Sequence, residues 1–311
     1  MVLLFFQERC VVSLAIIGDV HGAWDDSDAE FFNHSTHDAV VFVGDFVHYS
    51  QVELLPTIRK IQSLKKPVYF IPGNHDTPAL SQLLGELWGS EILCRIGVKG
   101  QLERFRLLQK QCSPIVLCAY SRHEIHPSLE MVAARPFSMG GGLNFKALLQ
   151  EEYGVGNLRE SADAIYKLVL ETKKPYLILA HHGPKGLGGL SHDLFGADFL
   201  PEGGDWGDED LAEAIAQAKE KGKAPLAVVA GHMHYPTRQK DKVRRWFLEK
   251  DGILFVNAAR VPRIFSYNGR KWHHFVELRV FPEGKKCEVS AFYRSYDFLV
   301  EQKDPYAYLP S

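Results

Sequence analysis

Five short apolar runs, at residues 11–17, 39–43, 68–71, 176–180 and 226–230, restrict the fold of this chain more than any other feature. They are rich in β-branched residues and suit strands buried on both faces of a sheet. Helical stretches at 51–64, 79–88, 158–172 and 209–221 lie among them, and this alternation points to βαβ units. Every run leads into residues able to bind a ligand. The first ends in Gly18-Asp19-Val20-His21-Gly22, the second in Gly44-Asp45, and the third in Pro72-Gly73-Asn74-His75-Asp76. The fourth ends in His181-His182-Gly183-Pro184 and the fifth in Gly231-His232-Met233-His234. Ligands bind at the carboxyl ends of strands in open α/β sheets, so five such ends would gather two Asp, one Asn and several His at one place.

The C-terminal part has a different rhythm. Asp251-Gly252 and Asn268-Gly269 favour tight hairpin turns, and residues 240–295 read as an antiparallel meander of the same fold. No repeat or low-complexity linker interrupts the chain, so residues 1–311 are expected to form one domain. Residues 183–207 form a long glycine-rich loop, and loops of that length are uncommon unless functional. A specificity lid is the expected role, in which case shortening the loop would change substrate preference more than metal content.

Oxygen and imidazole donors suit Mn, Fe or Zn. Residues two apart in an extended segment point the same way, which lets Asp19 and His21 share one metal and lets His232 and His234 address one site. Each element has an ordinary explanation when taken singly. Asp19 could cap a helix, Asn74 could form an Asx-turn, and the histidines could be core or surface residues. Five strand-end signals in one order are very hard to obtain from unrelated structural roles. His181 and His182 are adjacent in an extended stretch, so only one of them faces the metals.

The order Asp19-x-His21, Gly44-Asp45, Gly73-Asn74-His75-Asp76, His181, Gly231-His232-x-His234 resembles the calcineurin-like metallophosphoesterase superfamily. The resemblance implies an α/β fold of four layers, an α-β-β-α sandwich with two packed mixed sheets flanked by helices. It implies two divalent metal ions (Mn, Fe or Zn), with Asp19, His21 and His234 on the first, Asn74, His181 and His232 on the second, and Asp45 bridging both. His181 is chosen over His182 because the family's ligand stands a short step ahead of a proline; His182 then falls on the substrate side. The resemblance also makes His75 the group that serves the leaving oxygen, with Asp76 orienting it and raising its pKa.

Departures from the pattern narrow the activity. The protein Ser/Thr phosphatase branch carries Asp-Arg-Gly after its second motif, whereas this chain reads Gly44-Asp45-Phe46-Val47-His48-Tyr49. The motifs fit the nuclease and cyclic-nucleotide branches equally. A finer resemblance, through Arg135-Pro136-Phe137-Ser138, Gly140-Gly141-Gly142 and Gly204-Asp205-Trp206-Gly207-Asp208, points to a subgroup known mainly from cyanobacteria and plants and without a defined substrate. Arg135 is the candidate contact for substrate phosphate, with Arg260 and Arg263 behind it, since a guanidinium suits phosphate. Asp208 is expected to cap the helix that follows.

Charge and composition set the partners. Hydrophobic residues make up 46% and charged residues 24% of the chain, and the formal net charge is −2. Such a balance gives no global attraction to nucleic acid or anionic membrane. A small phosphorylated substrate is expected, nucleic acid is less favoured even with the basic run Arg238-Gln239-Lys240-Asp241-Lys242, and no membrane partner is expected. A nuclease of the same superfamily is the alternative function. A non-catalytic scaffold, the role of a retromer subunit with this fold, is the weaker one because His75 and all seven ligand positions are present. Cys10, Cys94, Cys112, Cys118 and Cys287 are scattered, as expected of free thiols in a reducing compartment. The apolar start Met1 to Phe6 is too short for a membrane span and lacks signal-peptide features, so a cytoplasmic location is expected.

Overall fold

The computed structural model describes residues 11–238 and 242–306. Cys10, the apolar start and the middle of the basic run lie outside the described residues. Among the described residues fourteen strands form two mixed sheets. In the first, β1 (Val12–Ile17), β2 (Ala39–Phe42), β3 (Val68–Phe70) and β4 (Val116–Leu117) run parallel. Three long antiparallel strands extend it beyond β1: β12 (Arg270–Phe281), β13 (Lys286–Ser295) and β14 (Phe298–Gln302), with β11 (Ile264–Tyr267) beside β12. The second sheet has the order β5-β6-β7-β8-β10-β9. These strands are β5 (Ser121–His126), β6 (Leu129–Ala133), β7 (Tyr176–Leu179), β8 (Ala227–Ala230), β9 (Phe247–Lys250) and β10 (Ile253–Asn257).

Alternation along each strand decides which layer a side chain enters. From β1, Leu14 and Ile16 pack between the sheets against Met131, Leu177, Val229 and Val256. Ala15 and Ile17 point the other way, toward α1 (Asp26–His34), α2 (Leu54–Ile61), α4 (Glu91–Gln111) and α5 (Lys146–Tyr153). On the far side Ile178 and Val228 meet α6 (Leu158–Glu171) and α7 (Glu209–Glu220). The result is an α-β-β-α sandwich. Among the described residues no helix is long and apolar enough to cross a membrane.

The C-terminal region differs from the continuous meander expected. Both hairpin turns form, with Asp251, Gly252, Asn268 and Gly269 all at positive φ, the conformation such two-residue turns require. The strands are shared between sheets, however. β10 pairs parallel with β8 in the second sheet, while β11 to β14 complete the first. Hairpin chemistry sets local pairing only, and the apolar face of β10 is buried by closing the second sheet. The 183–207 loop contains no helix or strand, yet Leu194, Phe195 and Ala197 from it are fully buried.

Candidate metal centre

The carboxyl ends of β1, β2, β3, β7 and β8 converge, and each delivers one or two polar side chains to the meeting point. The backbone leaves regular strand geometry there. His21, Asp45 and His232 have φ of 44°, 52° and 67°. Such left-handed conformations are uncommon for residues with a side chain and cluster at functional sites. Gly44, at φ 115°, precedes Asp45, and a Cβ on it would lie 2.4 Å from His181 Nδ1. A Cβ on Gly73 would lie 2.2 Å from Asp45 Oδ1. Only glycine admits the neighbouring side chains at these two places.

The side chains form two groups, each able to hold a metal ion: Asp19, His21, Asp45 and His234, and Asp45, His181 and His232. Asp45 belongs to both. Asn74 joins the second, its Oδ1 lying 3.0 Å from His181 Nε2 and 2.9 Å from His232 Nδ1. The first is drawn together by His234 Nε2, 2.9 Å from Asp19 Oδ2. His232 and His234 therefore serve different groups, against the expectation from their spacing. The positive φ of His232 breaks the two-residue alternation on which that expectation rested.

Tautomers test whether these residues suit a cation. His21 Nδ1 lies 3.1 Å from the Val47 carbonyl and His181 Nδ1 lies 2.6 Å from the Val43 carbonyl. A carbonyl only accepts, so in the neutral ring each Nδ1 carries the hydrogen and each Nε2 presents a lone pair. Those lone pairs face further acceptors. His21 Nε2 is 3.8 Å from Asp45 Oδ2, and His181 Nε2 is 3.0 Å from Asn74 Oδ1 and 3.5 Å from Asp45 Oδ2. Acceptors turned on one another in a buried place fit a cation, and backbone carbonyls behind the imidazoles are the usual support for metal-binding histidine.

Burial and charge compete at these groups. Burial alone would raise the Asp19 carboxyl, but its bond to His234 and the surrounding imidazoles hold it well below the usual range. Burial pushes His21 down to about 4 against the pull of Asp45 and Asp19. It opposes the charged form of His181 as well, yet Asp45 and Asp19 prevail and the pKa is raised. His232, surrounded by other imidazoles in a buried position, is held well below its ordinary value.

His75 lies at the rim, half-buried, with its ring edge-on to His21 at 5.1 Å and to Tyr49 at 5.1 Å. Its backbone N–H donates to Asp45 Oδ1 at 2.8 Å. Its Nδ1 is held by the backbone carbonyl of His48. That carbonyl takes the place expected for Asp76, whose side chain is turned elsewhere. Asp76 is fully buried and accepts the backbone N–H groups of Asp45 (2.8 Å), Phe46 (2.7 Å) and Gly73 (2.7 Å). Burial and the Asp45 carboxylate push its pKa up to about 8, against amide donors that favour the ionised form. Asp76 is thus a positioning residue that ties the Asp45 turn to the Gly73 turn.

Further expectations are corrected. Arg135 does not face the metal groups. It is buried, with Nη2 2.7 Å from Asp208 Oδ1, Nε 2.9 Å from Asp210 Oδ2 and Nη1 3.1 Å from the Gly142 carbonyl. Asp208 occupies the N-cap position of α7, but its carboxylate serves Arg135 and Ser138 instead of capping the helix. His182 is also fully buried, behind His232 (4.8 Å between ring centres) and against Phe195, where substrate cannot reach it. Alternation along the chain turned it away as His181 turned inward. Arg263 pairs bidentately with Asp28, and Arg260 lies 3.5 Å over the Phe265 ring. A third acidic cluster, Asp25, Asp28 and His273, is occupied by Arg263 and Lys271.

One rim residue carried a signal the sequence reading passed over. His48 is exposed and stacks on His21 with ring centres 4.2 Å apart and planes at 17°. The stretch Phe46-Val47-His48-Tyr49 lacks an arginine, and it supplies the carbonyls that hold His21 and His75.

Comparisons with known proteins agree with this arrangement. One solved structure, 15% identical, superposes with a TM-score of 0.52 over 90% of this chain and 98% of its own. A dimetal phosphatase from Danio rerio, 12% identical, superposes with a TM-score of 0.50 over 95% of this chain and 99% of its own. At such identities the likeness is one of fold. A search among curated proteins finds no match. A family model described as calcineurin-like phosphoesterase matches residues 12–236. The match takes in all five strand-end motifs and well over half of the chain, which therefore belongs to that family.

Proposed function

We propose that this member of the calcineurin-like phosphoesterase family hydrolyses phosphate esters, with two divalent cations held by Asp19, His21, Asp45, Asn74, His181, His232 and His234. The observation that carries the reading is the sharing of Asp45 between the two groups, because one carboxylate between two ion sites sets them side by side. When bound, paired cations clamp phosphoryl oxygens and activate water near neutral pH. The donor set of carboxylate, amide oxygen and imidazole suits Mn, Fe or Zn.

The chain's own residues supply the rest. The His48 carbonyl fixes His75 with hydrogen on Nδ1, so Nε2 is the nitrogen able to exchange a proton with the leaving oxygen. Asp76 holds the Asp45 and Gly73 turns at a constant separation. His48 and Tyr49 wall one side of the opening. The nuclease alternative finds less support, since Arg135, Arg260 and Arg263 are all buried against this chain's own groups and offer nothing to a polyanion. The scaffold alternative leaves the full donor set without a use.

The test is elemental analysis after supply of Mn, Fe and Zn in turn, joined to hydrolysis of p-nitrophenyl phosphate and bis-p-nitrophenyl phosphate. About two metals per chain are expected, with turnover reduced about 10²- to 10⁴-fold in His75→Ala at unchanged metal content. A chain that binds none of the three metals is not an enzyme of this kind.

A further inference from the structure

The hairpin formed by α3 (Leu80–Trp88) and α4 buries Leu83, Phe105 and Leu108 in the core, yet it also exposes a row of large apolar side chains. On the inner side Gln82 and Gln101 are at most 1% exposed, and Gln82 Nε2 donates to Gln101 Oε1, while Gln82 Oε1 and Gln101 Nε2 have no hydrogen-bond partner. On the outer side Trp88 is 70% and Ile92 72% exposed, and Leu80, Leu87 and Ile96 are exposed with them. Folding alone gains nothing from the exposed row, since large apolar side chains left in water contribute no burial. Contiguous exposed apolar surface marks a place of contact.

The position of this face identifies its occupant. Leu80 begins α3 just after the His75-Asp76 motif, and Leu87, two helical turns on, lies on the same side. Val52, 84% exposed, follows Gln51, whose Nε2 is bonded to the His75 carbonyl. Tyr49, also exposed, touches the His75 ring. Exposed apolar side chains therefore stand at the rim of the metal centre, and others stand on α3, a helix ~13 Å long that begins four residues after Asp76. The charges on the two helices up to Lys99 balance, Glu86 and Glu91 against Arg95 and Lys99, so a polyanion gains nothing there. A protein docked on this face would crowd the opening, whereas the tail of a substrate whose phosphate sits at the metals would lie along it.

We propose that the substrates are amphiphilic phosphate esters, and that the outer face of the α3–α4 hairpin takes up their alkyl or acyl chain. The proposal rests on the phosphoesterase reading and specifies its substrate class. Chain length would then govern specificity through burial of methylene groups, and the phosphate alone would govern chemistry.

The experiment uses the metal-loaded full chain and n-alkyl p-nitrophenyl phosphates from ethyl to decyl, kept below micelle-forming concentrations. We expect kcat/KM to rise at least about tenfold along the series, consistent with partial burial of the added methylenes. In Leu87→Asn/Ile92→Asn the rise along the series should vanish. Decyl phosphate should also shift the tryptophan emission of the wild type to shorter wavelength, and not that of Trp88→Phe, whether or not any ester turns over. A flat series with no emission shift overturns the proposal and leaves the phosphoesterase reading intact. No turnover of these diesters, of p-nitrophenyl phosphate or of decyl phosphate, with the emission shift present, refutes the phosphoesterase reading and with it the proposal, and leaves a site for the amphiphile. A concentration-dependent dimer abolished by Ile92→Asn, with a flat series, gives the face to a second copy of this chain and likewise overturns the proposal.

Discussion

Asp76 illustrates how a residue beside a reacting group can act at one remove. Its carboxylate accepts three backbone N–H groups from two loops, and those loops carry Asp45 and Asn74. Asparagine in its place has a single acceptor oxygen and turns an NH₂ group toward a backbone N–H. Asp76→Asn is therefore expected to cost about 2–4 kcal/mol of stability and to lower metal content, as read by urea unfolding and elemental analysis. A variant with wild-type unfolding and full metal content but slow turnover would return Asp76 to the role of orienting His75. The same separation holds for His181 and His182. One faces Asp45, while the other lies against Phe195, where burial pushes its pKa down to about 3.

Among the elements, the 183–207 loop departs most from its expected role. A lid must be free to swing, but this loop is held by the core beneath it. The Leu194 carbonyl accepts from Asn257 Nδ2, the Asp193 and Gly196 carbonyls accept from Arg244, and Phe195 is 1% exposed. Phe195→Ala should lower stability by about 3–5 kcal/mol, measured by urea unfolding, because the pocket behind His182 is left empty. Unchanged stability with an altered preference between phosphomonoester and phosphodiester would restore the lid. The helix α4 carries little signal in the sequence. Its 21 residues include Gly97 and Gly100, which weaken helix propensity, and its exposed apolar side chains blur the usual stripe. Gly97 has a tertiary use: a Cβ there would lie 2.6 Å from the Gln82 side chain, so the two helices approach closely only with glycine.

At the scale of the whole molecule, buried titratable groups couple stability to pH. Burial and the neighbouring Arg260 and Arg263 hold His274 neutral well below its ordinary value. The unfolded chain takes up a proton there below about pH 6.5 and the folded chain does not, so stability falls as pH drops through that value. Burial alone would raise Asp28, but Arg263 and His273 hold its carboxyl well below the usual range. Its contribution is present above the unfolded value near 3.9 and is lost as pH falls below it toward the folded pKa. The urea midpoint should accordingly decline from pH 7 to 5 and decline again below pH 4. A flat profile over that range would mean that neither group is buried as described.

The sequence by itself determined the five strands that lead into the site, their order of appearance and the donor types at their ends. Those features are local: a short β-branched run specifies a strand, and a glycine beside an Asp or His specifies a turn that carries a ligand. Folding decided which donors face which. His232 and His234 went to different groups because one residue adopts a left-handed conformation. Arg135 went to Asp208 and Asp210, more than 70 positions away in the chain, because a buried guanidinium requires carboxylates and the fold brings two of them to it. The strands β9 and β10 went to the second sheet because β8 offered an open edge there. Such choices depend on partners distant in sequence, and only the packed molecule brings the partners together.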